Sequence, residues 1–477
     1  MGETERDIPL TRRSWRLRSG ERRWLLLAGD VLAAVAATYL ALQLWSRLDY
    51  LGNESLITFV RLRSPWFPFL PFLWLLLLVE LYDVHRAASW RYTVRGLLLA
   101  AAAGAVIYLL VYFTSGQGSL PRRGVLYFLA LATLLTLLWR LFYVQVFTAP
   151  AMMRRVAIVG AGESGQELLR VIQALQPPPF HVVGLFDDDP VKQGKEVLGV
   201  RVLGESGQLL AVVDQFAVTD IIVAILGPMN GAMFQVLLDA QQAGVEITRM
   251  PVAYEELIGR VPIHYLESDW MLRSFVDEVR ASGIYLIGKR IVDVVAGVVG
   301  VVVFLLSLPW VALAIVIESG RPVFYRQTRL GLGGHPYRIL KYRTMTQDAE
   351  SDGQAHWAQH RDPRMTRVGT LLRRVHLDEF PQFWNVLRGE MSLIGPRPER
   401  PELVADLEKA IPFYRARLLV KPGLSGWAQV NFGKGASLAG SAEKLEYDLY
   451  YIKHRSLWLD LWIVLRTLGA VFRFRGV

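Results

Sequence analysis

Asp378 and Glu379 stand side by side in the stretch Val375–Glu399, VHLDEFPQFWNVLRGEMSLIGPRPE. Pro381 follows three residues after Asp378. Proline fits the first turn of a helix, where its missing N–H leaves no bond unmade. The pair therefore belongs at or just before a helix N-terminus, a place that attracts anions such as phosphate. Arg373 and Arg374 precede it, and Arg388, Arg397 and Arg400 follow. A carboxylate pair among arginines suits phosphoryl transfer. An N-cap aspartate with surface salt bridges would use the same residue types, and these residues alone leave both readings open.

Three blocks carry a resemblance. LDEFPQFWNVLRGEMSLIGPRP resembles the signature of bacterial sugar transferases that move a hexose-1-phosphate from a UDP-sugar onto a polyprenyl phosphate. KYRTM (Lys341 to Met345) resembles the family's lysine–arginine motif. KPGLSGWAQVN (Lys421 to Asn431) and KLEYDLYYIKHRSLWLDL (Lys444 to Leu461) resemble its C-terminal block. The likeness runs from about Ser282 to the end. The layout before it looks like the large, membrane-bound members that start exopolysaccharide or O-antigen synthesis.

The resemblance implies roles. Asp378 would attack the β-phosphorus of the UDP-sugar, expel UMP and carry the phospho-sugar as an acyl-phosphate, a standard use of a carboxylate nucleophile. Undecaprenyl phosphate would then attack, giving a diphosphate-linked sugar. Glu379 would help hold Mg²⁺ or orient phosphate, and Asp448 would belong to the same metal network. Magnesium with few carboxylates is the usual partner of a diphosphate. Lys341, Arg373 and Arg397 match basic, substrate-binding positions, with Arg343 a weaker candidate whose alternative is a surface ion pair. Gly423, Gly426 and Trp427 read as a turn and its packing. His376 stands where the pattern has a small hydroxyl residue. Asn431-Phe432-Gly433 replaces Asn-Gly-Arg, which puts that arginine's role in doubt. The expected sugar is UDP-glucose or UDP-galactose.

The elements that position these residues start in lipid. Of 477 residues, 52% are hydrophobic, more than a soluble protein of this charge content carries. There is no cysteine, which excludes disulfides and thiolate chemistry. The net charge of +10 sits beside apolar segments, so it reads as topology signal and lipid contact rather than nucleic-acid binding. Residues 1–23 form an arginine-rich tail. Four apolar runs follow, Trp24–Trp45, Trp66–Tyr82, Leu97–Phe113 and Val125–Phe147, each near spanning length. They predict a four-helix transmembrane bundle over 24–150. Asp30 and Arg140 lie deep in two of them, and Asp30 is expected to face another helix. Six arginines in the tail, then Arg86, Arg91 and Arg95, then Arg154 and Arg155 outnumber those of the opposite loops. Positive charge thus places the bundle's termini in the cytoplasm of a bacterial inner membrane.

Residues 151–255 change pattern. RRVAIVGAGESGQELLRVI reads as strand, glycine turn and helix, with Gly160, Gly162 and Gly165 in a GxGxxG. HVVGLF ends in Asp187-Asp188-Asp189, and DIIVAIL and VEITRM are further strands. This predicts a Rossmann-like parallel sheet. The glycines suit a dinucleotide site or close packing of helix on strand. The domain lacks a Tyr-x-x-x-Lys, which weakens an alternative reading of the chain as a nucleotide-sugar dehydratase or epimerase. A non-enzymatic membrane scaffold is the third reading.

Residues 256–283 are predicted as a linker, and 284–477 as a mainly α catalytic domain. Ile291–Ile317 is long enough to span, yet both flanks are basic and Pro309 lies inside. A helix that enters, breaks near Ser307–Pro309 and returns to the same face fits these facts, and the resembled family is built this way. Pro401–Val420 and Leu457–Arg475 mix apolar and basic residues and can lie at the membrane surface. A homodimer is compatible with such a bundle.

Overall fold

A computed structural model of the chain describes residues 19–48, 55–82, 87, 89–114, 122–147, 153–176, 178–227, 229, 231–266, 283–346, 364–432 and 437–472. The arginines of the tail up to Arg18, together with Arg86, Gly433 and Arg475, lie outside them. The chain divides into two units, Met1–Leu257 and Ile258–Val477.

The first unit opens with helices α1 (Ser19–Arg47), α2 (Leu56–Arg63), α3 (Leu70–Leu77), α4 (Trp90–Thr114) and α5 (Arg122–Phe147). α1, α4 and α5 are long and apolar enough to cross a membrane. The second apolar run is not. Its helical part is short, covering Phe67–Leu77. Prolines at 65, 68 and 71 break its hydrogen-bond ladder at every turn. Asp30 on α1 faces α5, as its position in an apolar run demanded. Arg140 Nη2 donates to its Oδ2 at 2.6 Å and Arg140 Nε to its Oδ1 at 3.2 Å. Arg140 Nη1 also donates to the Leu81 carbonyl at 2.6 Å. Both side chains are fully buried.

A six-stranded sheet follows in the order β3-β4-β2-β1-β5-β6. Its strands are β1 (Arg154–Val159), β2 (Phe180–Phe186), β3 (Glu196–Val197), β4 (Val200–Gly204), β5 (Asp220–Val223) and β6 (Glu246–Arg249). All pairings are parallel except β3 with β4. Helices α6 (Glu163–Ala174), α7 (Leu209–Phe216) and α8 (Gly231–Gln242) connect the strands, and α9 (Met250–Ile258) ends the unit. β1 and β5 are buried β-branched strands, as central parallel strands are. Arg154 is a buried partner of Asp220 and Glu246 rather than a free loop charge.

The second unit begins earlier than the predicted domain. Val261 and Ile263, from the expected linker, belong to its core with Leu445, Leu449 and Ile452. Helix α10 (Gly283–Ser319) carries Pro309 within one continuous element. The helix runs through Ser307–Pro309 instead of stopping there, and Pro309 marks where it can bend. Proline removes one hydrogen bond there, and the 36 other residues hold the helix. The hairpin β7 (Phe324–Leu330) and β8 (Pro336–Tyr342) follows, then α11 (Arg367–Arg374), α12 (Phe383–Arg388) and β9 (Ser392–Ile394). The chain ends with α13 (Pro401–Ala410), β10 (Gly423–Ser425), α14 (Trp427–Asn431), α15 (Leu438–His454) and α16 (Leu457–Phe472).

Of the two segments read as surface-lying, the first is mostly core. Val404, Leu407, Ile411, Tyr414 and Val420 are buried together. The second divides. Trp462 and Ile463 are buried, whereas Leu457, Trp458 and Leu461 are exposed.

Candidate active site

The carboxylate pair is set by three local features. Thr366 caps α11, its hydroxyl accepting from Gly369 N at 2.9 Å. After α11, His376 adopts φ 56, a left-handed conformation unusual outside glycine. The chain turns there into a 3₁₀ helix, Leu377–Gln382, whose first turn holds Asp378 and Glu379. Leu377 and Phe380 pack against Phe304, Tyr342 and Leu372, which fixes the opposite face of this turn. The pair thus sits in a first helical turn, as the proline spacing predicted.

Glu379 binds two cations through one oxygen. Lys341 Nζ from β8 donates to Oε1 at 2.8 Å, and Arg397 Nη2 donates to it at 2.9 Å. Burial raises the carboxyl's pKa, but Lys341 and Arg397 overcome this and hold it well below the usual carboxylate range. Burial pushes Lys341 down, opposed chiefly by Glu379.

Asp378 differs from its neighbour. It is 7% exposed, and among the described residues nothing hydrogen-bonds its carboxylate. Burial, then the adjacent Glu379 charge, pushes its pKa up. Lys341, Arg373 and Arg397 act in the opposite sense. Arg373 is steadied by Thr344, whose hydroxyl accepts from its Nε at 3.0 Å. The structure therefore brings Asp378, Glu379, Lys341, Arg373 and Arg397 together. A buried carboxylate with unused lone pairs beside three cations has what a phosphorus-directed nucleophile needs.

Arg397 rides on a turn held at four successive carbonyls. Gly423 N donates to Pro396 O at 2.9 Å, and Arg417 Nη2 to Arg397 O at 2.9 Å. Arg329 Nη1 donates to Pro398 O at 3.1 Å, and Leu330 N to Glu399 O at 3.2 Å. The glycines of KPGLSGW permit this. A Cβ on Gly423 would overlap the backbone of Gly395, and one on Gly426 would overlap the Gly395 carbonyl. Their role is close backbone approach, in keeping with their reading as a turn.

Two expected site residues stand elsewhere. Arg343 is 7% exposed and donates through Nη2 to Ser319 O at 2.8 Å and Gly320 O at 2.5 Å. It caps the C-terminal carbonyls of α10, a good place for a cation, and is neither at the pair nor a surface ion pair. Asp448 is buried on Arg417, whose Nη2 donates to its Oδ2 at 2.9 Å. Burial pushes Asp448 up to about 6 despite that partner. It does not join Glu379.

Magnesium fits the pair only in part. Among the described residues no three His, Cys, Asp or Glu side chains cluster as metal ligands. Asp378 and Glu379 suit an ion that takes one or two carboxylates and completes its shell with diphosphate oxygens and water.

Several residues take positioning roles that the sequence did not assign them. Asn385 accepts from Leu340 N at 3.3 Å and donates to Arg338 O at 2.9 Å, tying the Lys341 strand to α12. Asp293, on α10, accepts from Ser392 Oγ at 2.9 Å and Leu393 N at 2.8 Å. Lys289 Nζ reaches Ile394 O at 3.0 Å and Asp460 at 2.9 Å. Arg290 donates to Val386 O at 2.9 Å and Leu387 O at 2.8 Å, at the end of α12. Lys289 and Arg290 thus anchor the helix to the site as well as flanking it. Asp293 is the charge inside the apolar run Ile291–Ile317, and Lys289 and Arg290 are its basic flank; Asn385 carried no signal.

In the sheet domain, Gly160 takes φ +107 and a Cβ on Gly165 would overlap the Gly160 carbonyl. Those two glycines serve the turn and helix packing, while the space at Gly162 is open. Asp187, the first acid of the run after HVVGLF, accepts from Ala161 N at 2.8 Å, Asp189 N at 3.0 Å and Lys192 Nζ at 2.9 Å.

Comparison with known proteins bears on both units. Residues 284–474 match the bacterial sugar transferase family, and residues 78–251 match a CoA-binding domain family. An Aeromonas hydrophila UDP-N-acetylgalactosamine-undecaprenyl-phosphate N-acetylgalactosaminephosphotransferase is 43% identical over 46% of this chain, which spans 50% of that relative's length. A Xanthomonas campestris UDP-glucose:undecaprenyl-phosphate glucose-1-phosphate transferase is 28% identical over 91% of this chain and 93% of its own. A Caulobacter vibrioides protein of the same description is 46% identical over 38% of this chain and 69% of its own. The family match over 284–474 includes Asp378 and Glu379, and with the identity and coverage of the Caulobacter relative the chain belongs to the bacterial sugar transferase family.

Proposed function

We propose that this chain transfers a hexose-1-phosphate from a UDP-sugar to undecaprenyl phosphate through a covalent intermediate on Asp378. The carrying observation is the contrast within the pair. Glu379 is held ionised by Lys341 and Arg397, whereas Asp378 is left unbonded among the described residues. An Asp378 oxygen attacks the β-phosphorus, the bond to the bridging oxygen breaks, and UMP leaves with that electron pair. A polyprenyl-phosphate oxygen then attacks the same phosphorus, and the bond to Asp378 breaks. Carboxylate and diphosphate-linked sugar result. Lys341, Arg373 and Arg397 would hold phosphate oxygens and the charge that develops on them. Magnesium, when bound, would neutralise diphosphate charge beside Asp378 and Glu379.

UDP-glucose is the proposed donor. The Xanthomonas relative and a Komagataeibacter xylinus undecaprenyl-phosphate glucose phosphotransferase align over 91% and 82% of this chain. The test is UMP release by detergent-purified protein from a panel of UDP-sugars, with magnesium and undecaprenyl phosphate, beside Asp378→Asn. UMP from one sugar, lost in the variant, is expected. UMP from none overturns the reading.

For α10 we propose re-entry, with a bend at Pro309 and both ends on the cytoplasmic face. Lys289 and Asp293 near its start, and Ser319 at its end, bond to the same unit. Ile284, Val295, Leu306, Trp310 and Ile317 are exposed along it and suit lipid. For the sheet domain we propose a Rossmann-like scaffold. Asp187 is engaged by the glycine turn at Ala161 and by Lys192, which speaks against a dehydratase or epimerase cofactor there.

A further inference from the structure

We infer that Arg417, tethered by Asp448, is a positioning residue that sets Arg397 on the Glu379 carboxylate. This rests on the transfer reading above and assigns Asp448 to an arginine rather than to a metal.

Arg417 is 6% exposed, and both terminal nitrogens of its guanidinium meet partners. Nη2 donates both to Asp448 Oδ2 and to the Arg397 carbonyl, each at 2.9 Å. Nη1 donates to Tyr414 Oη at 2.6 Å and lies 3.9 Å from Glu399 Oε1. The guanidinium carbon stands 5.1 Å from the centre of the Tyr414 ring. A planar fork with several fixed donors suits this, and a lysine would not reproduce it. Asp448 has no other hydrogen-bond partner among the described residues, and its Oδ1 is unpartnered. Its function in the fold is to hold Arg417.

The consequence reaches the pair through the backbone. Arg397 hangs from a turn whose four carbonyls, 396 to 399, are each bonded from another element. Among the described residues, Arg417 alone donates to the carbonyl of Arg397 itself. Losing that bond frees the peptide from which the Arg397 side chain extends to Glu379 at 2.9 Å. Shifts of about 1 Å at a reacting centre cost on the order of a hundred-fold in rate.

The experiment uses the full chain in detergent and two readouts, for Arg417→Lys and Asp448→Asn. Hydrogen–deuterium exchange is followed in peptides covering 391–400 and 421–426. UMP release is measured as a function of UDP-sugar and of magnesium. Exchange in both peptides is expected to rise. The maximal rate is expected to fall about 10–100-fold, with the half-activating magnesium concentration within about twofold of wild type. Lys409→Gln, on the exposed face of α13, is expected to leave exchange and rate unchanged. Unchanged exchange in both variants overturns the inference. A roughly tenfold rise in the magnesium requirement of Asp448→Asn overturns it as well, by making Asp448 a metal ligand. A wild-type protein that releases no UMP sinks the transfer reading, while exchange still decides whether Arg417 holds the turn.

Discussion

Lys341 and Glu379 are 38 positions apart and meet at 2.8 Å, on the same oxygen that Arg397 approaches at 2.9 Å. Two cations on one carboxylate oxygen of Glu379 contrast with the neighbouring Asp378, whose carboxylate no described residue hydrogen-bonds. The division of labour within the pair comes from this contact. The chemistry assigned to Asp378 depends on it.

Replacing Asp378 separates activity from stability. Asp378→Asn removes a buried carboxylate that burial penalises and that no described residue hydrogen-bonds. UMP release is expected to fall on the order of a thousand-fold or more. The melting temperature is expected to stay level or rise, as it does when a strained functional group is removed. Paired activity and thermal-melting measurements check this. A clear loss of melting temperature would argue for a structural aspartate.

Glu379→Gln should behave in the opposite way. Lys341 and Arg397 would lose their shared anion. A loss of about 1–3 kcal/mol is expected, below the figure for a fully buried pair because Arg397 is half exposed. Denaturation of the variant beside Lys341→Met tests it. The two losses should be less than additive, since both remove one contact.

The raised Asp378 pKa has a kinetic sign. The attacking form is the carboxylate, so the rate falls when Asp378 is protonated. Because folding raises its pKa above 3.8, the acid limb of the rate profile should lie above that value. Glu379 has a stability sign. Its pKa is lowered from 4.5, so its contribution is present above that pH and lost as pH falls through and below it. Rate and melting profiles between pH 4 and pH 8 would show the first failing before the second.

The Asp30–Arg140 pair offers a test in the first unit. Both residues are fully buried, so Arg140→Leu strands a charge and a cost of about 3–5 kcal/mol is expected. Adding Asp30→Leu should recover much of it. Thermal unfolding of the three variants in detergent measures this.

Re-entry of α10 is open to labelling because the chain has no cysteine. Gly283→Cys and Arg321→Cys, in separate variants, are expected to react with a membrane-impermeant maleimide from the same side of sealed vesicles. Reaction from opposite sides would mean a full span.

Much of the site was legible because its residues lie close in the chain or carry a distinctive type. The Asp378–Glu379 pair, Pro381 and the Gly395–Pro398 turn fall within about twenty positions. Local rules for turns and first helical turns place them. The buried Asp30 announced a partner because a lone charge in an apolar run requires one. Arg343 misled because it shares the KYRTM block with Lys341, whereas its guanidinium caps α10. For Asp448 the sequence left open a metal or an arginine, because an acid next to a basic site suits either; the fold buries it against Arg417.

The sequence by itself determined the apolar helices, the parallel strands with their glycine turn, and the residues that can do the chemistry. Each is a short-range consequence of periodicity, backbone freedom or side-chain type. Tertiary packing set which carboxylate takes Lys341 and Arg397 as partners, that α10 runs through Pro309, and that Arg417 holds the Arg397 turn. Those outcomes depend on contacts between residues 20 to 105 positions apart. Sequence spacing cannot encode a hydrogen bond across such separations, because packing of whole elements sets the distance.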